Sequence, residues 1–92
     1  MYMMVTWDPR KAEANFKKHG VRFSDAEIVL WDPLGITIED AGATDEQRLV
    51  TIGNDALGRI LVVVFAYRDE EVRLISARKA TKNERRVYEE GV

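Results

Sequence analysis

Hydrophobic and polar positions alternate along this chain with periods that change from segment to segment, and each period implies an element. Ile60 to Tyr67 reads I-L-V-V-V-F-A-Y, apolar throughout. So short a run is a strand, and a strand apolar on both sides is a central one, covered at least in part on both faces. Val62 and Val64 are expected to be nearly inaccessible. Further on, Val72, Leu74 and Ser76 alternate with Arg73, Ile75 and Ala77, a period of two that predicts another strand. Arg68 to Glu71 turns the chain between these two. Arg48 to Gly53 is read as a strand and Asn54 to Gly58 as a hairpin loop, with Arg59 beginning the strand that follows. Ile36 to Asp40 is a weaker strand, followed by a Gly/Ala/Thr/Asp loop at 41–46. Tyr2 to Trp7 is a short strand at the start.

The helices announce themselves by their ends. Asp8-Pro9 supplies an N-cap and a proline at the first helical position, where its missing N–H costs nothing. This helix runs to about His19 and stops at Gly20. Ala12, Asn15, Phe16 and His19 share one of its faces, which is unusually polar for a core face. Ser24-Asp25-Ala26-Glu27 has the form of a capping box, with Phe23 and Ile28 placed as a hydrophobic staple. It predicts a second helix to about Trp31, ending before Asp32-Pro33. Thr81 and Glu84 form a second such box, which begins a last helix. The expected order is β-α-α-β-β-β-β-α. Short connections among the last strands favour an antiparallel sheet, with two N-terminal helices and one C-terminal helix, in the α+β class.

Composition narrows the function more than the fold. Ninety-two residues make one domain, residues 1–92, with a thin core. No cysteine leaves no disulfide framework and no thiolate zinc site. No run approaches transmembrane length and no signal-peptide pattern opens the chain, so a cytoplasmic protein with no membrane partner is expected. The net charge is −2, yet residues 1–46 carry −4 and residues 47–92 carry +2. Between Arg73 and Arg86 six basic residues face one acidic residue. A polyanion is the natural ligand for that cluster.

Several residues there could carry chemistry. His19 is the sole histidine, a ready proton shuttle or simply a cation on the last carbonyls of its helix. Arg78 ends a strand and offers a planar fork to phosphate; the alternative is a structural ion pair with a carboxylate. Arg68 ends the central strand, where it could equally be a rim charge paired with Asp69 or Glu71. Glu84 could act as a base, or only as a capping residue. Tyr88 lies four residues on, on the same face, and could assist proton transfer or merely keep its hydroxyl wet. Asn15 and Lys18 flank His19, and Lys79, Lys82 and Arg85 deepen the positive potential around Arg78. No metal constellation, cofactor motif or glycine-rich phosphate loop is visible. A phosphodiester reaction here would therefore run without metal, which points to RNA, whose 2′-hydroxyl is an internal nucleophile.

The chain also resembles a known family. W-D-P-x-K at Trp7 to Lys11, N-x-x-K-H-G-V-x-F from Asn15 to Phe23, Asp32-Pro33, Gly58-Arg59, and the stretch from Arg73 to Tyr88 with I-S-A-R at its centre together resemble the BrnT toxins. The match spans nearly the whole chain with the motifs in order. It implies a RelE-like ribonuclease fold, RNA cleavage that arrests translation, and neutralisation by a BrnA-like antitoxin that alone contacts operator DNA. It points to His19, Arg68, Arg78, Glu84, Arg85 and Tyr88, of which Arg78 and Tyr88 parallel roles that recur in RelE-like ribonucleases. Two other functions compete: an inactive toxin homologue that binds the antitoxin as a co-repressor, and an RNA-binding domain without cleavage.

Overall fold

The computed structural model describes residues 4–40 and 47–91. Strand β1 (Met4–Thr6) leads into α1 (Pro9–His19), α2 (Phe23–Ala26) and a 3₁₀ segment (Glu27–Trp31). Then come β2 (Ile36–Glu39), β3 (Arg48–Asn54), β4 (Ile60–Arg68), β5 (Glu71–Lys79) and α3 (Lys82–Glu90). The expected loop at 41–46, and Tyr2 at the expected start of β1, lie outside the described residues.

The five strands are ordered β1-β5-β4-β3-β2, which puts β4 at the centre. Strands β2 to β5 form the expected antiparallel meander, but β1 lies parallel to β5, with Val5 opposite Val72. The sheet is therefore mixed rather than antiparallel. The cause is the helical crossover: the chain leaves β1 at one edge, crosses a whole face as helices, and re-enters as β2 at the other edge.

That covered face holds the core. Val21, Phe23, Ala26 and Val29 pack on Leu61, Val63, Phe65, Val72, Leu74 and Ala77. Trp7 closes one side, meeting the Phe23 ring edge-on at 6.0 Å between centroids. On the opposite face of β4, Val62 is buried as expected, but Val64 is half-exposed. Val64 pairs with Ser76 and Val50, whereas Val62 lies beside Arg78, whose partner Glu84 belongs to α3.

A β-bulge resets the strand that matters most. Val64 pairs with Ser76 and Phe65 with Leu74, so Ile75 is the extra residue of β5. Simple alternation puts Ala77 with Arg73 and Ile75. In the structure Ala77 joins Val72 and Leu74 in the core, and Ser76 and Arg78 move to the open face with Arg73.

The edge of β5 explains the polar face of α1. Strand β1 pairs only with Glu71 to Arg73, which leaves Ala77 without a strand neighbour on that side. The buried Asn15 side chain takes that place: its Nδ2 donates to the Ala77 carbonyl at 2.8 Å, and its Oδ1 accepts the Ala77 N–H at 3.0 Å. Nδ2 also donates to the Val21 carbonyl at 3.1 Å, fixing the chain just past the Gly20 cap, where φ is 71°.

The capping box expected at Ser24–Glu27 does not form. The α2 N-cap is Arg22, without a side-chain bond, and Ser24 lies inside the helix. Phe23, expected ahead of the helix as half of a staple, is instead its first residue, only 2% exposed, while Ile28 is 45% exposed. Burial of Val21 and Phe23 fixes where the chain turns, and this outweighs a cap worth about 1 kcal/mol. The segment then tightens to 3₁₀ and ends at Asp32.

Candidate functional site

The face of the sheet away from α1 and α2 carries the polar chemistry, and its two ends differ. At the end near α3, Thr81 and Glu84 form the expected capping box: the Glu84 N–H donates to the Thr81 hydroxyl at 3.2 Å, and the Thr81 N–H to Glu84 Oε1 at 2.8 Å. Glu84 also receives both arms of Arg78, Nη1 to Oε1 at 2.8 Å and Nη2 to Oε2 at 2.9 Å. The guanidinium fork is thus filled by a carboxylate of the same chain, as the ion-pair alternative anticipates. Arg78 holds the Glu84 carboxyl far below the usual range, at about 2, despite the opposing effect of burial. Glu84 in turn raises the Arg78 pKa.

One turn on, the Tyr88 hydroxyl donates to Asp32 Oδ2 at 2.5 Å. In the sequence Asp32 marks only a helix stop. In the structure it is a hub: Oδ2 also accepts the Asn54 N–H at 2.8 Å, and Oδ1 the Leu34 N–H at 2.9 Å. Burial pushes its pKa up, but the Tyr88 hydroxyl and the two backbone N–H groups outweigh that and hold it below normal. The bond to Asp32 raises the Tyr88 pKa, so the phenol stays a proton donor. Gly53 makes room for this junction, since a Cβ there would stand 3.1 Å from both Asp32 Oδ2 and a Val29 methyl. The Asp-Pro pair is visible in sequence; its reach to β3 and α3 is not.

At the other end, three arginines surround one alanine. Arg48 and Arg73 both pair with Ala66 in the ladder, and Arg68 follows two residues along β4 on the same side. Ala66 is fully covered. Arg48, Arg68 and Arg73 line a cavity of about 150 Å³ together with Asp8 and Lys11 from the start of α1. Asp8 is committed to its capping role, accepting the Arg10 N–H at 2.8 Å. The side chains of Lys11, Arg48 and Arg73 have no partner among the described residues, while Arg68 is engaged. Of the four cations, only Arg68 stands among the sequence candidates. The signal exists, since Arg48 and Arg73 alternate with apolar neighbours, but only the register makes them meet.

The structure therefore gathers Arg78, Glu84 and Tyr88 and leaves the other candidates apart. The rows of Arg78 and Ala66 are separated by about 13 Å along β4, at about 3.3 Å per residue, and Arg68 lies farther still. His19 is half-buried at the last turn of α1, on the helix that covers the other face. Lys18, Lys79, Lys82 and Arg85 are exposed. Among the described residues, no group of three or more His, Cys, Asp or Glu gathers as metal ligands, and no helix is long and apolar enough to cross a membrane.

Residues 7–84 match the family model described as the ribonuclease toxin BrnT of type II toxin–antitoxin systems. The chain belongs to the BrnT family. It is accordingly a ribonuclease toxin of the type II kind, which implies an RNA substrate and an antitoxin partner. Among solved structures it is similar to the Brucella abortus ribonuclease toxin BrnT, with 28% identity and a TM-score of 0.68, over 88% of this chain and all of that one. No curated protein matches. The α+β fold, with its five-stranded mixed sheet and three helices, thus agrees with that of a BrnT toxin. Tyr88 lies beyond the residues the BrnT model matches.

Proposed function

We propose that this BrnT-family chain, a single toxin domain over residues 1–92, is a metal-independent endoribonuclease that arrests translation in the cytoplasm. RNA lies across the open face of its sheet, and a BrnA-like antitoxin neutralises it; operator DNA is reached only through that antitoxin. The observation that carries this reading is the row of arginines on one face: Arg48, Arg68, Arg73 and Arg78 all share the side of the sheet that α1 and α2 leave open. Guanidinium groups bind phosphate directly and bidentately.

The reaction centre is assigned to the α3 end. The RNA 2′-oxygen attacks phosphorus, the bond to the 5′-oxygen breaks, and that oxygen takes up a proton. Arg78 stabilises the charge growing on the phosphate once it exchanges Glu84 for the substrate. The protonated Tyr88 hydroxyl is suited to supply the proton. Glu84 is fully ionised at neutral pH and acts as a positioning residue for Arg78. No side chain at this end is assigned as the base, since His19 lies on α1, apart from Arg78, Glu84 and Tyr88, so the 2′-hydroxyl proton passes to water; Lys79, Lys82 and Arg85 supply surrounding charge. Arg68, at the far end, holds RNA rather than the reacting phosphate.

The test is cleavage of a short RNA with and without chelator, alongside growth on induction with and without the antitoxin. Cleavage that survives chelation, with arrest relieved by the partner, supports the proposal; cleavage that needs a divalent ion removes metal independence.

One observation favours a second reading, the inactive homologue that binds its antitoxin as a co-repressor. The Arg78 fork is already filled at 2.8 and 2.9 Å by Glu84. If that pair never opens, the α3 end is structural. Under that reading Arg78→Ala leaves antitoxin binding and repression intact, and the unaltered protein cleaves no RNA.

A further inference from the structure

The cavity beside Ala66 is lined mainly by charged side chains. Lys11, Arg48 and Arg73, whose side chains have no partner among the described residues, converge there beside Arg68, which is engaged, and Asp8, whose Oδ1 already caps α1. Like charges at one cavity repel one another; solvent screens Lys11, Arg48 and Arg68, which are exposed, and a bound anion relieves what remains. The cavity is small. Its volume is about 150 Å³. That suits one phosphate group. A nucleobase would need an aromatic or planar surface to stack on, and none of the described residues lining the cavity is aromatic. The three guanidinium groups come from three neighbouring strands, so their spacing is set by the ladder and not by flexible loops.

We infer that this cavity is a second phosphate subsite, which grips the RNA backbone away from the bond that is cut. It rests on the proposed function only in taking RNA as the ligand. Its row stands about 13 Å from that of Arg78, at about 3.3 Å per residue of β4. An RNA strand therefore reaches both ends of the face only if it extends by several nucleotides beyond the scissile bond. Between the two ends Val50, Val64 and Ser76 form a largely apolar floor that does not compete for phosphate. The subsite sets register and length requirement, and the Arg78 end carries the chemistry.

The experiment measures binding of a fluorescent ten-nucleotide RNA bearing 2′-O-methyl groups throughout, which cannot be cleaved. Arg48→Gln and Arg73→Gln should each weaken binding about tenfold or more, as expected for removing a charge-assisted hydrogen bond. Each should also reduce the slope of log affinity against log salt by about 0.7 for every phosphate that is no longer neutralised. Lys17→Gln, on the exposed side of α1 and paired with Glu13, should change neither. Inorganic phosphate added to the unaltered protein should shift the amide resonances of Ala66 and Arg73. Should a variant fail to fold, that titration still decides the matter. Unchanged affinity and slope in folded variants, or no phosphate-induced shift at Ala66, overturns the subsite. Failure to capture the antitoxin while RNA affinity is unchanged also overturns it, reassigning the cavity to an acidic protein segment. A wild-type protein that cuts no RNA, yet binds the methylated strand through these arginines, defeats the proposed cleavage and leaves the subsite standing.

Discussion

The two ends of the open face carry the same kind of charge and treat it in opposite ways. Near α3, the half-buried polar groups are matched inside the chain: Arg78 with Glu84, Tyr88 with Asp32, Asp32 with the Asn54 and Leu34 N–H groups. Around Ala66, Lys11, Arg48 and Arg73 have no side-chain partner among the described residues. Matched charge holds a helix in place. Unmatched charge of one sign, even where solvent screens it, makes a field that draws an anion. The contrast is sharpest because α3 buries no residue of its own and depends on those polar contacts for its seat. One strand, β5, supplies both Arg73 and Arg78, so the difference comes from what each arginine meets, not from the strand.

If β5 is the common frame, loosening it should damage both ends at once. Asn15→Leu would leave the buried N–H and carbonyl of Ala77, and the Val21 carbonyl, without partners. Each buried unsatisfied group costs about 1–3 kcal/mol, so a loss of about 2–5 kcal/mol is expected in urea unfolding. A loss below about 0.5 kcal/mol would mean that water or a shifted strand replaces Asn15, and that the two ends do not share this anchor.

The next largest effect should fall on the α3 end alone. Asp32→Ala removes the acceptor for Tyr88, Asn54 and Leu34 and should cost about 1–3 kcal/mol. Tyr88→Phe removes one of those bonds and should cost about 0.5–1.5 kcal/mol. Amide exchange should then quicken in α3 while the protection of Arg48, Ala66 and Arg73 is kept. Equal quickening at both ends would dissolve the distinction between them.

Much of this is legible in the sequence, and what is not has one physical source. The Asp8 cap, the Thr81–Glu84 box and the apolar β4 run are local patterns, and the structure keeps all three. The Ser24–Glu27 pattern is local too, but burial of Phe23 overrides it. An ion pair of Arg78 with a carboxylate is visible as an alternative, but its partner Glu84, six positions on, is read there only as a cap or a base. The Asp32 hub joins residues 56 apart, and no spacing announces that. The arginines around Ala66 depend on ladder register and on the bulge at Ile75, which moves Arg78 to their face. Without that extra residue, alternation would put Arg78 on the core side with Leu74.

Acid should separate the ends by a smaller margin. The folded-state pKa of Glu84 is depressed from 4.5 to about 2. Its contribution is therefore present above about pH 4.5 and lost as pH falls toward 2. Arg78 is 39% exposed and Glu84 28%, so solvent screens the pair, and its coupling should be about 1 kcal/mol in a double-mutant cycle of Arg78→Ala and Glu84→Gln. Wild type and Glu84→Gln should differ in stability at pH 7 and converge toward pH 2. A difference that persists at pH 2 would place the effect of Glu84 in the cap rather than in the ion pair.

The smallest expected effect is the most telling. Arg73→Gln removes a cation from the unmatched end but keeps enough of the side-chain stem to shield Ala66. Nothing among the described residues loses a partner. Relief of repulsion from Lys11, Arg48 and Arg68 should offset the lost packing, so stability at low salt should stay unchanged or rise by up to about 0.5 kcal/mol. Any rise should vanish in about 1 M salt, where the screening length is about 3 Å. The same change at the matched end, Arg78→Gln, leaves the Glu84 carboxylate half-buried without its fork and should lower stability by about 1 kcal/mol. Urea unfolding of both variants at two salt concentrations supplies the comparison. A loss above about 1 kcal/mol for Arg73→Gln, well beyond the usual range for a surface change, would show that Arg73 has a structural partner, and the cavity around Ala66 would then be another piece of scaffold.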